Sequence, residues 1–350
     1  MSYDYTEIVP YLLHWYDRNA RILAWRENPK PYYVWVSEIM LQQTRVEAVK
    51  GYFDRFITAL PTVKDLAEAK EEQLLKLWEG LGYYNRVRNM QKAAQIVMEE
   101  YAGELPADYE ALKRLPGIGS YTAGAIASIA YGIAEPSVDG NVLRVLKRIA
   151  ASYDDITKEK VKKELEDDLR GIMPKERPGD FNQSLMELGA TVCLPNGKPL
   201  CEQCPVMHLC KAFHAGCELK LPIKPKKKER RIEEKTVLLI KRNTGESYEI
   251  ALRKRPDTGL LSGLWELPNI EGYLTNEEIR CMFPKGEIKR IPDGKHIFSH
   301  VEWHMRCYEV LLEEEIRKEQ IEIETGFFTK QEIEEKISLP SAFDCCKKFL

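Results

Sequence analysis

The chain has 350 residues, 44% of them hydrophobic and 31% charged, and a formal net charge of −3. That length exceeds a usual single domain, so two or three compact units are expected, and the composition excludes a long disordered or low-complexity protein. The near-neutral balance excludes a globally basic nucleic-acid footprint, so any such footprint has to be local.

The N-terminal residues MSYDYTEIVPYLLHWYDRN lack a basic region followed by an apolar stretch, so no secretory signal is expected. The small-apolar stretch from Thr122 to Ala134 is shorter than the ~20 residues that a membrane span needs. A cytoplasmic, nucleoid-accessible chain with no membrane partner follows, with a monomer as the default state. From Tyr11 to about His214 the apolar spacing is helical, as in DLAEAKEEQLLKLWEGL and DYEALKRL, so this half is predicted to be all-α. The stretch from Leu219 to Lys235 carries two prolines and eight Lys/Arg against three Glu, which marks a solvated connector. Beyond it, KTVLLIKR, YEIALRKR and MRCYEVLL predict strands, and helical stretches follow, so the second domain is expected to be α+β.

Cys193, Cys201, Cys204 and Cys210 follow the spacing C-x7-C-x2-C-x5-C. Four thiolates in one loop can close around a single metal centre, either zinc or a [4Fe-4S] cube. Zinc sites usually pair two C-x2-C knuckles and this loop has one, which tilts the reading towards iron–sulfur. Cys217, Cys281, Cys307, Cys345 and Cys346 have no such spacing and read as packing residues.

Between two helical patterns lies Leu115-Pro116-Gly117-Ile118-Gly119, whose glycines permit a tight turn with outward-facing amides. Such a hairpin can hold a DNA phosphate with main-chain donors and no net positive charge. After it come Tyr121-Thr122-Ala123-Gly124, an apolar helix, and Val138-Asp139-Gly140-Asn141-Val142, which opens a helix bearing Arg144, Lys147 and Arg148. Asp139 there also suits an N-cap.

LPGIGSYTAGAIASIAYG followed by PSVDGNVLRVLKR resembles the helix-hairpin-helix DNA glycosylases, and WVSEIMLQQTRVEAV with WEGLGYYNRVRNM resembles the MutY branch of that family. The resemblance covers nearly the whole chain. It implies a six-helix barrel over about 25–135, an iron–sulfur cluster domain built from 1–24 and 136–217, a basic linker over 218–234, and a Nudix-like domain over 235–350. The implied activity is monofunctional excision of adenine opposite 8-oxoguanine or guanine in double-stranded DNA. The four-cysteine loop then matches the family's [4Fe-4S] site, although seven residues separate Cys193 from Cys201 where the family usually has six.

By the same resemblance Glu38 protonates the leaving adenine and Asp139 stabilises the positive sugar, with Tyr121 and Asn141 beside them. Cleaving a purine N-glycosidic bond asks for such a pair, one carboxyl protonated and one ionised. Glu38 lies in the apolar run from Val34 to Met40, where desolvation favours its neutral form, whereas helix amides favour an ionised Asp139. Tyr121 stands where endonuclease III-like relatives carry the lysine that attacks the sugar, and a tyrosine forms no Schiff base. Arg26, in AWR, is a candidate for lining the same pocket. Gln43 and Tyr83 match residues that fill the stack left by a flipped base, and Leu41 matches a wedge. Thr44, Arg86, Gly117, Gly119 and Ser120 complete the expected DNA contacts. In the C-terminal domain, KRPDTGLLSGLWELPN and KHIFSHVEWHM resemble a Nudix fold, with Phe298, Ser299 and His300 in the loop that reads 8-oxoguanine. A Nudix hydrolase needs a glutamate-rich REx2EE helix after GLWELPN, which this chain lacks. A bifunctional pyrimidine glycosylase/lyase is disfavoured by Tyr121, and a non-catalytic lesion binder or redox sensor by the intact Glu38, Tyr121, Asp139 and Asn141.

Overall fold

In a computed structural model of the chain, residues 3–225, 229–245, 247–313 and 325–350 are described; Lys226–Lys228 of the expected basic connector therefore lie outside the described residues. Two compact units emerge, one from Met1–Ala69 with Asn89–Lys226 and one from Lys70–Arg88 with Lys227–Leu350. This grouping cuts across the expected 1–217 region.

The helices are α1 (Ile8–Asn19), α2 (Ala24–Glu27), α3 (Pro31–Leu41), α4 (Val46–Ala59), α5 (Val63–Glu68), α6 (Glu71–Leu77), α7 (Asn85–Glu100) and α8 (Tyr109–Arg114). They continue as α9 (Ser120–Ala125), α10 (Gly140–Ile149), α11 (Glu159–Ile172), α12 (Pro178–Thr191) and α13 (Lys211–His214). The first unit contains no named strand among its described residues, in line with the all-α expectation. Its starts are written in the sequence: Pro31 opens α3, Thr62 and Asp65 form a capping box on α5, and Asp108 and Asp139 cap α8 and α10. Helix α3 is buried over Tyr32, Val34–Met40, so Glu38 has no route to solvent along its own helix. Helix α10 is buried from Val142 to Ile149, and its apolar face packs with α1 and α12 residues such as Leu12, Phe181, Leu185 and Leu188.

The second unit holds a mixed seven-stranded sheet in the order β3-β2-β1-β6-β5, with β4 on β1 and β7 on β2. Its strands are β1 (Arg231–Asn243), β2 (Tyr248–Lys254), β3 (Trp265–Glu266), β4 (Asn269–Glu271), β5 (Glu287–Ile297), β6 (Val301–Leu312) and β7 (Thr325–Thr329). The β1–β6 pair is parallel and the other pairs are antiparallel. The three expected strands are β1, β2 and β6. Along β1, Val237 and Leu239 face one core, shared with α15 (Lys330–Lys336) and α16 (Asp344–Lys347), while Leu238 and Ile240 face the other, shared with α14 (Asn276–Met282). Period-2 alternation with apolar residues on both faces requires cover on both sides, and these helices supply it.

Residues 70–88 join this unit through specific bonds. Lys76 Nζ donates to the Ile333 and Ile337 carbonyls at 3.1 and 3.0 Å, Glu79 accepts from the Leu339 amide at 3.2 Å, and the Ser338 hydroxyl meets that of Tyr84 at 3.2 Å. No described helix is long and apolar enough to cross a membrane.

Candidate active site

Helix α10 begins at Asp139, whose extended backbone leaves its carboxylate over the first turn. Oδ1 accepts from the Asn141 and Val142 amides at 2.8 and 2.7 Å, and Oδ2 accepts from the Asn141 side-chain amide at 2.7 Å. The N-cap reading of Asp139 is thus present, and the capping bonds fix the orientation of its carboxylate. Burial pushes its pKa up, while the Val142 amide, both Asn141 donors and Arg144 pull it down. Sequence reading gave weight only to the amides, and burial outweighs them.

Glu38 faces the same place from α3. The hydroxyl of Tyr121, the second residue of α9, donates to the Glu38 carboxylate, and burial raises the Glu38 pKa to about 7, with Asp139 adding to the rise and Tyr121 and Arg26 opposing it. Tyr121 is itself pushed well above its usual value, burial first and then the two carboxylates, so it stays a neutral donor. Asp139 receives three hydrogen bonds that favour its charged form and Glu38 receives one.

Arg26 does not point freely into the pocket. Its Nη2 bonds Glu187 at 2.8 Å, its Nη1 bonds the Arg21 carbonyl at 3.2 Å, and Arg21 Nη2 shares Glu187 at 3.0 Å. The Glu187 side chain is fully buried, and sequence reading passed over it because a glutamate in the middle of α12 looks like a solvated one. A second residue whose part was not foreseen is Arg144. It donates to Asn141 Oδ1 at 2.8 Å, to the Gly189 carbonyl at 2.7 Å and to the Cys193 carbonyl at 2.8 Å, so it connects the Asp139 clamp to the cysteine loop. Arg144, Lys147 and Arg148 are all buried, not displayed on a surface.

The four cysteines lie where the sequence gathers them. Cys193, Cys201, Cys204 and Cys210 line one cavity of about 30 Å3, two to three times the ~10–15 Å3 that one water requires. Arg148 Nη1 donates to Cys193 Sγ at 3.2 Å, and main-chain amides of Val206 and of Ala212 and Phe213 reach Cys204 and Cys210. Burial drives the Cys204 thiol up to about 12, so at neutral pH that sulfur is charged only when a cation shares the cavity. Donors aimed at sulfur around a four-thiol cavity fit a metal–sulfur centre.

The hairpin glycines are exposed: Gly117 sits at φ 78 in the turn closed by Ile118 N to Leu115 O, and Gly119 precedes α9. Ser120 is engaged, its hydroxyl donating to Glu166 at 2.8 Å and accepting from Lys162 at 3.0 Å. At the end of α3, Leu41 and Thr44 are half-buried and joined by a turn, and Gln43 between them is exposed at φ 59. Tyr83, in the second unit, is 51% exposed at φ 48. Left-handed backbone is rare for such residues and is retained where the surrounding structure enforces it. Arg86 faces inward: Nη2 donates to the Leu81 and Gly82 carbonyls at 3.0 and 3.1 Å, and its guanidinium lies over Trp78 and Tyr83. It braces the turn that presents Tyr83.

Ser299 and His300 are exposed at the tip of the β5–β6 hairpin, whereas the Phe298 ring packs edge-on between His296 and Trp303. The Tyr83 hydroxyl and Ser299 Oγ are 2.8 Å apart.

Residues 36–170 match the HhH-GPD superfamily base excision DNA repair proteins, and residues 236–347 match the NUDIX domain. The chain is 37% identical to the adenine DNA glycosylase of Rattus norvegicus, over 89% of this chain and 71% of that one. It is 34% identical to that of Buchnera aphidicola subsp. Schizaphis graminum, over 84% of each. Among solved structures, it is similar to a thermostable thymine-DNA glycosylase (TM-score 0.53, 28% identity, 60% of this chain and 96% of that one). It is also similar to a non-covalent endonuclease III–DNA complex (TM-score 0.52, 26% identity, 62% of this chain and 99% of that one). The expected glycosylase and Nudix-like architecture is thus present, and the chain belongs to the adenine DNA glycosylases of the HhH-GPD superfamily.

Proposed function

We propose that this chain hydrolyses the N-glycosidic bond of an adenine mispaired with 8-oxoguanine, and of one opposite guanine, in double-stranded DNA, working as a nucleoid-associated monomer. The observation that carries the chemistry is the pair Glu38 and Asp139 with Tyr121 bonded to Glu38. With a pKa near 7, Glu38 holds a proton that it delivers to a ring nitrogen of the flipped adenine as the C1′–N bond breaks. Asp139, fixed by three hydrogen bonds, faces the oxocarbenium-like sugar as an anion. Water supplies the hydroxyl that ends on C1′, and adenine leaves as the neutral base. Tyr121 orients Glu38 and offers no amine, so the product is an intact strand with an abasic site. Arg26 lines the pocket under the grip of Glu187.

Base extrusion is supported by the exposed, left-handed Gln43 and Tyr83, with Leu41 as a wedge. Thr44, Gly117, Gly119 and Ser120 meet the backbone, and Arg86 contributes by bracing Tyr83. Ser299 and His300 would read the opposite base: the Ser299 hydroxyl suits the N7–H that 8-oxoguanine has and guanine lacks. Phe298 supports them from below. Cys193, Cys201, Cys204 and Cys210 would hold a [4Fe-4S] cube, which when bound fastens their loop to α10.

A labelled duplex with one adenine opposite 8-oxoguanine, set beside an adenine–thymine control, tests this reading. Strand cleavage after alkali in the lesion duplex alone is the expected result. Cleavage without alkali means a lyase, and none in either treatment removes the catalytic reading.

A further inference from the structure

Three thiols that the sequence scatters meet inside the second unit. Cys307 is a buried residue of β6, and Cys345 and Cys346 sit in α16, which packs on β5. Cys345 Sγ lies 3.9 Å from Cys307 Sγ and 3.7 Å from Cys346 Sγ, and all three sulfur atoms fall within 4.8 Å of one another. Strand β5 is shaped for this. Its register shifts between Ile291 and Gly294, opposite the stretch of β6 that carries Cys307. A Cβ on Gly294 would come 2.4 Å from Cys345 Sγ and 3.1 Å from Met305 Cε, so only glycine leaves room for the thiol. Trp303, Met305, Ile337 and Phe343 share one hydrophobic core with the three cysteines.

Core cysteines need only fill space, and one or two would do so. Two of the three separations also match the sides of a coordination triangle, and the third closes it within 4.8 Å. Metal–sulfur bonds of about 2.3 Å place neighbouring sulfurs about 3.8 Å apart in a tetrahedral site and about 4.0 Å apart in a trigonal one. The same separations are far beyond the ~2.05 Å of a disulfide bond. Soft thiolates in an apolar pocket select soft d10 cations over hard oxygen-seeking ones.

We propose that Cys307, Cys345 and Cys346 form a second metal site, for a thiophilic d10 cation, distinct from the four-cysteine loop. On binding, three S–H bonds break, their protons pass to solvent and three metal–sulfur bonds form, with no change of oxidation state. The ion would pin α16 to β6 across the gap that Gly294 leaves.

The test titrates the full-length chain, kept reduced with a phosphine, with Cd(II) while thiolate-to-cadmium charge-transfer absorption is followed. Wild type is expected to bind one equivalent more than Cys345→Ala and Cys346→Ala, and the same number as Cys281→Ala, which removes an exposed thiol elsewhere. The four-cysteine loop is common to all these proteins and cancels. Competition by Zn(II) and by Cu(I) then distinguishes the two natural candidates by which displaces Cd(II) at lower concentration. Equal equivalents in wild type and both trio variants would overturn the site. Should a variant fail to fold, iodoacetamide mapping of wild type decides: half-exposed Cys345 is protected by Cd(II) while Cys281 stays reactive, and an unchanged Cys345 rate overturns the proposal.

Discussion

The Tyr83 hydroxyl sits 2.8 Å from Ser299 Oγ, so a residue of the GLGYY turn holds the exposed tip of the β5–β6 hairpin across 216 positions of sequence. Arg86 fixes that turn from beneath, and Phe298 fixes the hairpin. Tyr83→Phe and Ser299→Ala should each lower the ratio of excision rates, adenine opposite 8-oxoguanine over adenine opposite guanine, by about fivefold, the worth of one neutral hydrogen bond of ~1 kcal/mol. His300→Ala should lower it too. Because the first two act through one bond, the double variant should fall no further than the worse single one. Additive losses in single-turnover assays would show that they act separately.

Asp139→Asn keeps the shape of the α10 cap and removes its charge. The expected result is a loss of at least about 10^3 in the excision rate, the scale of removing a preorganised electrostatic group. Lesion-duplex affinity, measured by fluorescence anisotropy, should stay within a few-fold of wild type. Excision near the wild-type rate would remove Asp139 from the chemistry.

The rate should also depend on pH in one direction around neutrality. With Glu38 as the proposed acid, its protonated form is the active one, and that form is lost as the pH rises through about 7. Single-turnover excision should therefore fall about tenfold per pH unit well above 7. Glu38→Gln should be slower by about 10^2 to 10^4 and lose this limb of the profile.

Glu38 also has a stability signature. Its folded pKa stands near 7 against an ordinary 4.5, so the folded chain holds the proton more tightly than the unfolded one. The stability this provides is complete below pH 4.5 and is lost as the pH rises through about 7, a swing on the order of 3 kcal/mol. Glu38→Gln, which never ionises, should melt several degrees above wild type at pH 8 and close to it at pH 4. Calorimetry at the two pH values checks this, and equal melting temperatures at pH 8 would contradict the buried-acid account.

Burial pushes the Cys204 thiol of the four-cysteine loop up to about 12, and Arg148 donates to both Cys193 Sγ and the Leu194 carbonyl beside it. Cys204→Ala should abolish bound iron and visible absorbance and lower the melting temperature of the first unit. Iron analysis of wild type and variant checks the centre's chemistry: zinc in place of iron would reassign it.

Local signals carried much of the organisation. Helix periodicity, the Thr62, Asp108 and Asp139 caps and the one-loop crowding of four cysteines are all short-range, and each needed only a window of sequence to be read. Glu38 was legible for the same reason, since a carboxylate among Val34, Trp35, Ile39 and Met40 has apolar neighbours on every side of its helix. The fate of long, flexible charged side chains was not. Arg26, Arg86, Arg144, Arg148 and Glu187 all have sequence contexts that suit solvent or phosphate. Their placement depends on carbonyls and carboxylates far away in sequence, as between Arg26 and Glu187, 161 positions apart. The grouping of 70–88 with the sheet unit and the meeting of Cys307 with Cys345 and Cys346 have the same origin. A contact between distant segments leaves no periodicity in either of them, so the sequence by itself determined the elements and the candidate groups they carry, and only the packing of those elements decided which charges and thiols they enclose.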